Sequence, residues 1–264
     1  MNPLTNHKYR KLNNIAHGIH SHNTNTSNTN TSNTNNSNNI SNSNNSNNSG
    51  TVENKNTNFI NSVSVNPILW GPLMWNLLHE LAKHGIDNKI NNVSELPDYK
   101  NIISCMPHIL PCSVCRQHCK EAYDYGRVTR SLTSINKFYD WVWDLKTNAN
   151  KHTNAVNLSY DNYTQKLKVR TSFISENDVW DLLFLMALNY PNNKDYDINR
   201  QNYYMTFFKS LANLAEHVDV ISKFKCLNPT IPLWDGVAQL QDWLIELYKI
   251  MYNGKIPDID KYYD

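Results

Sequence analysis

Pro111-Cys112-Ser113-Val114-Cys115-Arg116 is the part of this chain best suited to chemistry. Two cysteines closed by two intervening residues form an exchange-prone disulfide rather than an inert staple. At a helix N-terminus such a pair gains thiolate stability from unpaired backbone N–H groups and the helix dipole. Pro111 fixes the approach to that helix, and Arg116 adds positive charge beside it. Upstream, Trp70-Gly71-Pro72-Leu73-Met74-Trp75-Asn76-Leu77-Leu78-His79 sets aromatic and imidazole groups at helical spacing. Trp75 and His79 are four apart and share a face. Electrons delivered to the disulfide leave it as a dithiol that needs an acceptor, and an aromatic face opposite the pair suits a flavin.

Two other readings use the same residues. Cys112, Cys115, His118 and Cys119, with Cys105 and His108 nearby, are soft ligands of the kind that bind zinc. They lie in one run, however, whereas structural zinc sites draw ligand pairs from separated segments, and one helix closes a tetrahedron poorly. A static buried disulfide is the blander alternative. Cys226 reads as a packed core thiol.

The elements that must position this chemistry lie in roughly residues 60–264. From Ser21 to Ser49 nearly every residue is Asn, Ser or Thr, too little apolar surface to offset the entropy of ordering, so residues 1–62 are expected to be a disordered tail. His7, His17 and His20 precede that tract, His22 lies at its start, and all four read as solvated. A formal charge of +2 over 264 residues leaves no nucleic-acid footprint. No secretory signal is recognisable at the first residues. The most apolar stretch, Val179 to Leu188, falls short of the roughly twenty residues a bilayer requires. Asn-x-Ser/Thr triplets in the tail follow from its composition. Of five cysteines, four cluster within Cys105 to Cys119, which favours catalysis or metal over a secreted disulfide scaffold.

An all-α fold is expected. Trp75, Leu78, Leu81 and Ala82 mark a first helix, with Pro72 in its first turn and Gly85 at its end. Leu96-Pro97 reads as a loop. A second helix carries Tyr99 to Leu110, a third runs from Cys112 to about Tyr125-Gly126, and a fourth, capped at Ser131 or Thr133, carries Ile135 to Leu145. Asn148 to Asn162 reads as loop, and Leu167 to Thr171 shows the nearest approach to strand alternation. Helices are predicted again at 176–189, 202–220 and 237–252. The tryptophans at 141, 143, 180, 234 and 243 fit core packing.

The string Trp75 to Ala82 has an echo at Trp180 to Ala187, and Asp140-Trp141 to Leu145 has one at Asp242-Trp243 to Leu247 at nearly the same offset. The C-terminal half therefore reads as a degenerate copy of the first, with Phe184 in place of His79 and no Cys-x-x-Cys.

Gly71-x-x-x-Trp75-x-x-Leu78-His79 followed by Cys112-x-x-Cys115 resembles the Erv/ALR family of FAD-linked sulfhydryl oxidases, viral members in particular, over about residues 66–155. The resemblance implies a four- or five-helix FAD-binding bundle at 63–160, followed by a helical domain at 165–264. It implies that substrate thiolates attack Cys112, that Cys115 is the flavin-proximal sulfur, and that electrons pass through FAD to oxygen, giving hydrogen peroxide. Trp75 and His79 would contact FAD, and Gly71 would allow its close approach. The family's His-Asn-x-Val-Asn signature is represented here by Lys146-Thr-Asn-Ala-Asn150, so Lys146 would face the adenine or diphosphate and Asn150 would keep the last contact. A later string, His152 to Asn157, has one residue too many.

The Tyr-Pro expected after the first helix is Gly85-Ile86, while Tyr190-Pro191 stands in that register in the second half. No second Cys-x-x-Cys is present to shuttle electrons. The expected partners are protein thiols and oxygen, with no nucleic acid and no membrane span. The C-terminal half would supply a surface for a homodimer or for clients. An Asn-rich tract beside a viral-type signature points to a large DNA virus, acting in host cytoplasm or virion. The competing reading is a helical adaptor whose oxidase site has decayed.

Overall fold

Asn66 starts the first helix: its side-chain oxygen accepts the Ile68 N–H at 3.0 Å, satisfying a donor the helix leaves unpaired. Helix α1 (Pro67–Asp87) then runs with Pro67 at its start, so Pro72 sits in the second turn rather than the first. The computed structural model describes residues 65–87, 96–121, 133–153, 155–191, 198–229 and 234–262, all within one unit of the chain. The Asn-rich tract, the four N-terminal histidines, Ser131 and the Tyr125-Gly126 region lie outside the described residues.

Helix α2 (Leu96–Ile109) begins at the Leu96-Pro97 pair expected as loop, because a proline in the first turn lacks only an N–H that has no helical acceptor. Helix α3 is Ser113–Glu121 and α4 is Ile135–Thr153. The expected loop at 148–162 is mostly helix: α4 continues through Thr153, and α5 (Tyr160–Val169) is capped by Ser159, whose side chain accepts the Asn162 N–H. Strand alternation at Leu167 is absent, because Tyr163 and Leu167, four apart, form the buried edge of α5. Helix α6 (Glu176–Ala187) opens with a Ser175/Asp178 capping box, and α7 (Ile198–Leu214), a 3-10 segment (Asp219–Leu227) and α8 (Val237–Met251) follow. The described residues are helical, with no strand among them.

Helix α1 is the hub, packing on α4 and on α6, while α2 packs on α3 and α7. In the second half α6 packs on α8, and α7 on the 3-10 segment. The internal pairings of the two halves therefore run in the same order, and between the halves α1 meets its echo α6 and α2 meets α7. One apolar core, including Leu77, Phe138, Trp180 and Phe208, spans both halves. Gly85 sits inside α1, where a Cβ would collide with Ile135 of α4, so its missing side chain lets the two helices approach. Among the described residues no helix is long and apolar enough to cross a membrane.

Candidate active site

Cys112 stands at the start of α3. Its carbonyl accepts the Arg116 N–H at 2.9 Å, and its Sγ accepts the Cys115 N–H at 3.2 Å. An N–H aimed at sulfur from a helix N-terminus favours a thiolate when the pair is reduced. Cys112 and Cys115 form a disulfide with Cα atoms 5.2 Å apart. Cys112 is buried and Cys115 half-buried.

Cys115 borders a cavity of about 500 Å³ between α1, α3 and α4. Gly71 and Trp75 line it from α1, Cys115 and His118 from α3, and Asn150 and His152 from α4. A Cβ at Gly71 would meet nothing within 4 Å, so this glycine leaves open space in the cavity that Cys115 also lines rather than relieving a protein contact. The imidazoles of His118 and His152 stack with centroids 3.9 Å apart. Cys119 also borders the cavity, but burial pushes its thiol up to about 12, and burial raises the Cys105 thiol too. Both stay protonated and poorly nucleophilic.

A second cavity of about 200 Å³ adjoins, sharing Asn150, and is lined by His79, Lys146, Tyr163, Lys166 and Phe173. Its polar groups are oddly placed for a finished protein interior. His79 Nε2 and Tyr163 Oη are both buried without a hydrogen-bond partner among the described residues, a costly arrangement unless something else supplies one. His79 is pushed down to about 3, first by burial and then by the positive charges of Lys146, Lys166 and Arg170. The imidazole is therefore neutral at ordinary pH. Burial, followed by the charge of Lys166, also lowers Lys146, whose Nζ lies 5.6 Å from the centre of the Trp75 ring. Three cations around an unpartnered imidazole and phenol favour an anionic ligand.

Glu80 fixes one wall. Its buried carboxylate accepts the Phe173 N–H at 2.6 Å and the Ser172 hydroxyl at 3.0 Å, tying the loop after α5 to α1. The Phe173 ring then lies 5.3 Å from that of His79.

Of the residues expected to be catalytic or to contact FAD, Gly71, Trp75, Cys115 and Asn150 line the larger cavity and His79, Lys146 and Asn150 the smaller, while Cys112 lines neither and is bonded to Cys115. The two competing strings after Trp141 both contribute, since His152 lines one cavity and Asn157 the other. No motif in the sequence marks Tyr163, Lys166, Arg170 or Phe173. The only signal was the i, i+4 pair Tyr163 and Leu167, which a polar neighbourhood obscures.

The helices and charges of this site lie within a recognisable stretch. Residues 72–170 match the model of the Erv1 / Alr family. The match begins one residue after Gly71, takes in Trp75, His79 and both cysteines, and ends at Arg170. No curated protein and no solved structure matches the chain. Over these residues, less than half of the chain, the sequence is similar to that family.

Proposed function

We propose that this protein is an FAD-dependent thiol oxidase that makes disulfide bonds in polypeptide substrates. The observation that carries the reading is the half-buried sulfur of Cys115 on the wall of a cavity that Gly71 keeps open. The residues suit FAD. Gly71, Trp75 and the apolar wall would hold its ring system, Lys146, Lys166 and Arg170 its phosphates, and His79 and Tyr163 would gain the polar partners they lack. When bound, FAD supplies two-electron transfer from a dithiol to oxygen, with hydrogen peroxide as product.

The protein's own chemistry is thiol–disulfide exchange. A substrate thiolate attacks Cys112, its sulfur bonds to Cys112 Sγ, and the Cys112–Cys115 bond breaks with the electron pair leaving on Cys115. The second substrate thiolate then attacks the mixed disulfide and releases Cys112, so two electrons and two protons have moved from substrate to the pair. Cys115 is thereby left reduced at the cavity wall. Val114, between the cysteines, is 59 % exposed and would offer an apolar contact to an unfolded client. We read the C-terminal half as a degenerate copy of the first, supported by the parallel helix pairings.

Oxygen uptake with a dithiol tests the reading: the purified chain should be yellow and consume oxygen, and Cys115→Ser should abolish turnover. A colourless, inert chain would return the adaptor reading.

A further inference from the structure

The four backbone carbonyls that precede Cys112 are all held, and the second half of the chain holds two of them. Arg200 of α7 donates through Nε to the His108 carbonyl at 2.8 Å. Tyr204, one turn on, places its hydroxyl 3.2 Å from the carbonyls of Ile109 and Met186. Arg116 donates to the Leu110 carbonyl at 2.6 Å, and the Val65 N–H to that of Pro111 at 2.8 Å. Asn189, just after α6, joins the set: its side-chain oxygen accepts from Arg116 at 2.6 Å and also from Arg200, while its carbonyl accepts from Arg200 at 2.7 Å. Arg200, Asn189 and the Tyr204 hydroxyl thus link α6 and α7 to the backbone leading into Cys112 and, through Arg116, to the helix carrying Cys115.

The last carbonyls of a helix have no helical donor and normally turn to water. Here the end of α2 is instead bonded to the half of the chain that lacks a Cys-x-x-Cys pair. We propose that Asn189, Arg200 and Tyr204 are positioning residues for the Cys112–Cys115 disulfide. The disulfide itself fixes the two Cα atoms at 5.2 Å. Once it is reduced, the first turn of α3 still keeps the two cysteines near each other, and the bonds around residues 108–111 set how Cys112 is presented to Cys115. A segment held at residues 108–111 keeps the dithiol close to the geometry of the disulfide, so the bond re-forms without the backbone being ordered again. Loosening the set lets the dithiol relax and shifts the equilibrium toward it. This rests on the reading of the pair as an exchanging disulfide, but not on any bound cofactor.

The test is the equilibrium of the full-length chain with glutathione, read by alkylation and mass analysis of Cys112 and Cys115. In it two glutathione thiols become one glutathione disulfide as the protein pair gains two electrons and two protons. Asn189→Ala and Tyr204→Phe remove hydrogen bonds without changing charge. Asn189→Ala should lower the equilibrium constant for disulfide formation about fivefold, and Tyr204→Phe by a smaller factor in the same direction, as befits one hydrogen bond. Measurement well below the thermal midpoint separates this from general destabilisation. If Asn189→Ala does not fold, Tyr204→Phe alone decides. Folded variants with the wild-type constant would overturn the proposal. A wild-type pair that does not exchange with glutathione at all would overturn the oxidase reading instead.

Discussion

Replacing Gly71 with alanine should make the protein more stable and the site worse. Alanine in a helix interior is favoured over glycine by about 1 kcal/mol. A Cβ at this position meets no protein atom within 4 Å, so nothing opposes that gain. For a folded unit of this size 1 kcal/mol raises the thermal midpoint by about 2–4 °C. With FAD present that advantage should be cancelled or reversed. A ligand at 100 times its dissociation constant stabilises the wild type by about 2.7 kcal/mol. A methyl group forced against a bound ring costs about 1–3 kcal/mol, as overpacking does in a core. That weakens binding by roughly fivefold to more than a hundredfold. Melting curves of the two proteins stripped of flavin, then with FAD added, read both effects. Equal FAD affinity in Gly71→Ala, or a lower midpoint without flavin, would refute the claim that this glycine opens a ligand site.

Gly85→Ala should behave in the opposite way, because its Cβ collides with Ile135; a loss of about 1–3 kcal/mol in urea unfolding is expected, with recovery when Ile135→Ala is added. His79 should make stability depend on pH. Its folded pKa of about 3 lies below the 6.5 of the unfolded chain, so the unfolded state takes up the proton first and stability falls as pH drops from about 6.5 toward 3. The slope is about 1.4 kcal/mol per pH unit, or about 2 kcal/mol by pH 5, and a His79→Gln variant compared in urea should lack it. Lys146→Met and Arg170→Met should each weaken FAD binding by about tenfold or more while leaving riboflavin, which has no phosphates, nearly unaffected; equal losses for both ligands would remove these residues from the phosphate site.

The parts of the site legible in the sequence are those fixed by local chemistry. Cys112 and Cys115 carry their meaning in their spacing, and Trp75 and His79 in a helical period strong enough to survive Pro72. Lys146 and Asn150 are marked only by the resemblance to the family signature, whose four-residue spacing keeps both on one helix face. What lay hidden depends on long-range packing. Helix α5 buries only Tyr163 and Leu167, a stripe too short to stand out among polar neighbours, so Lys166 and Arg170 passed unnoticed. Glu80 reads as a solvent-facing carboxylate until Ser172 and Phe173 arrive from the far side of the chain to cover it. Asn148 to Thr153 suggests loop by composition, yet the helix continues because one of its faces lines the larger cavity. The bonds from Asn189, Arg200 and Tyr204 to residues 108–116 join segments far apart in sequence, and nothing local announces them.

Anaerobic reduction of the purified protein by a dithiol, followed through its visible flavin bands, tests the role of Cys115 most directly. The wild type should bleach as electrons pass from Cys112 and Cys115 to the bound flavin. Cys115→Ser should carry the same colour and keep it. A flavin that bleaches equally fast in Cys115→Ser, or a wild type without flavin bands, would contradict the placement of that sulfur against the cofactor.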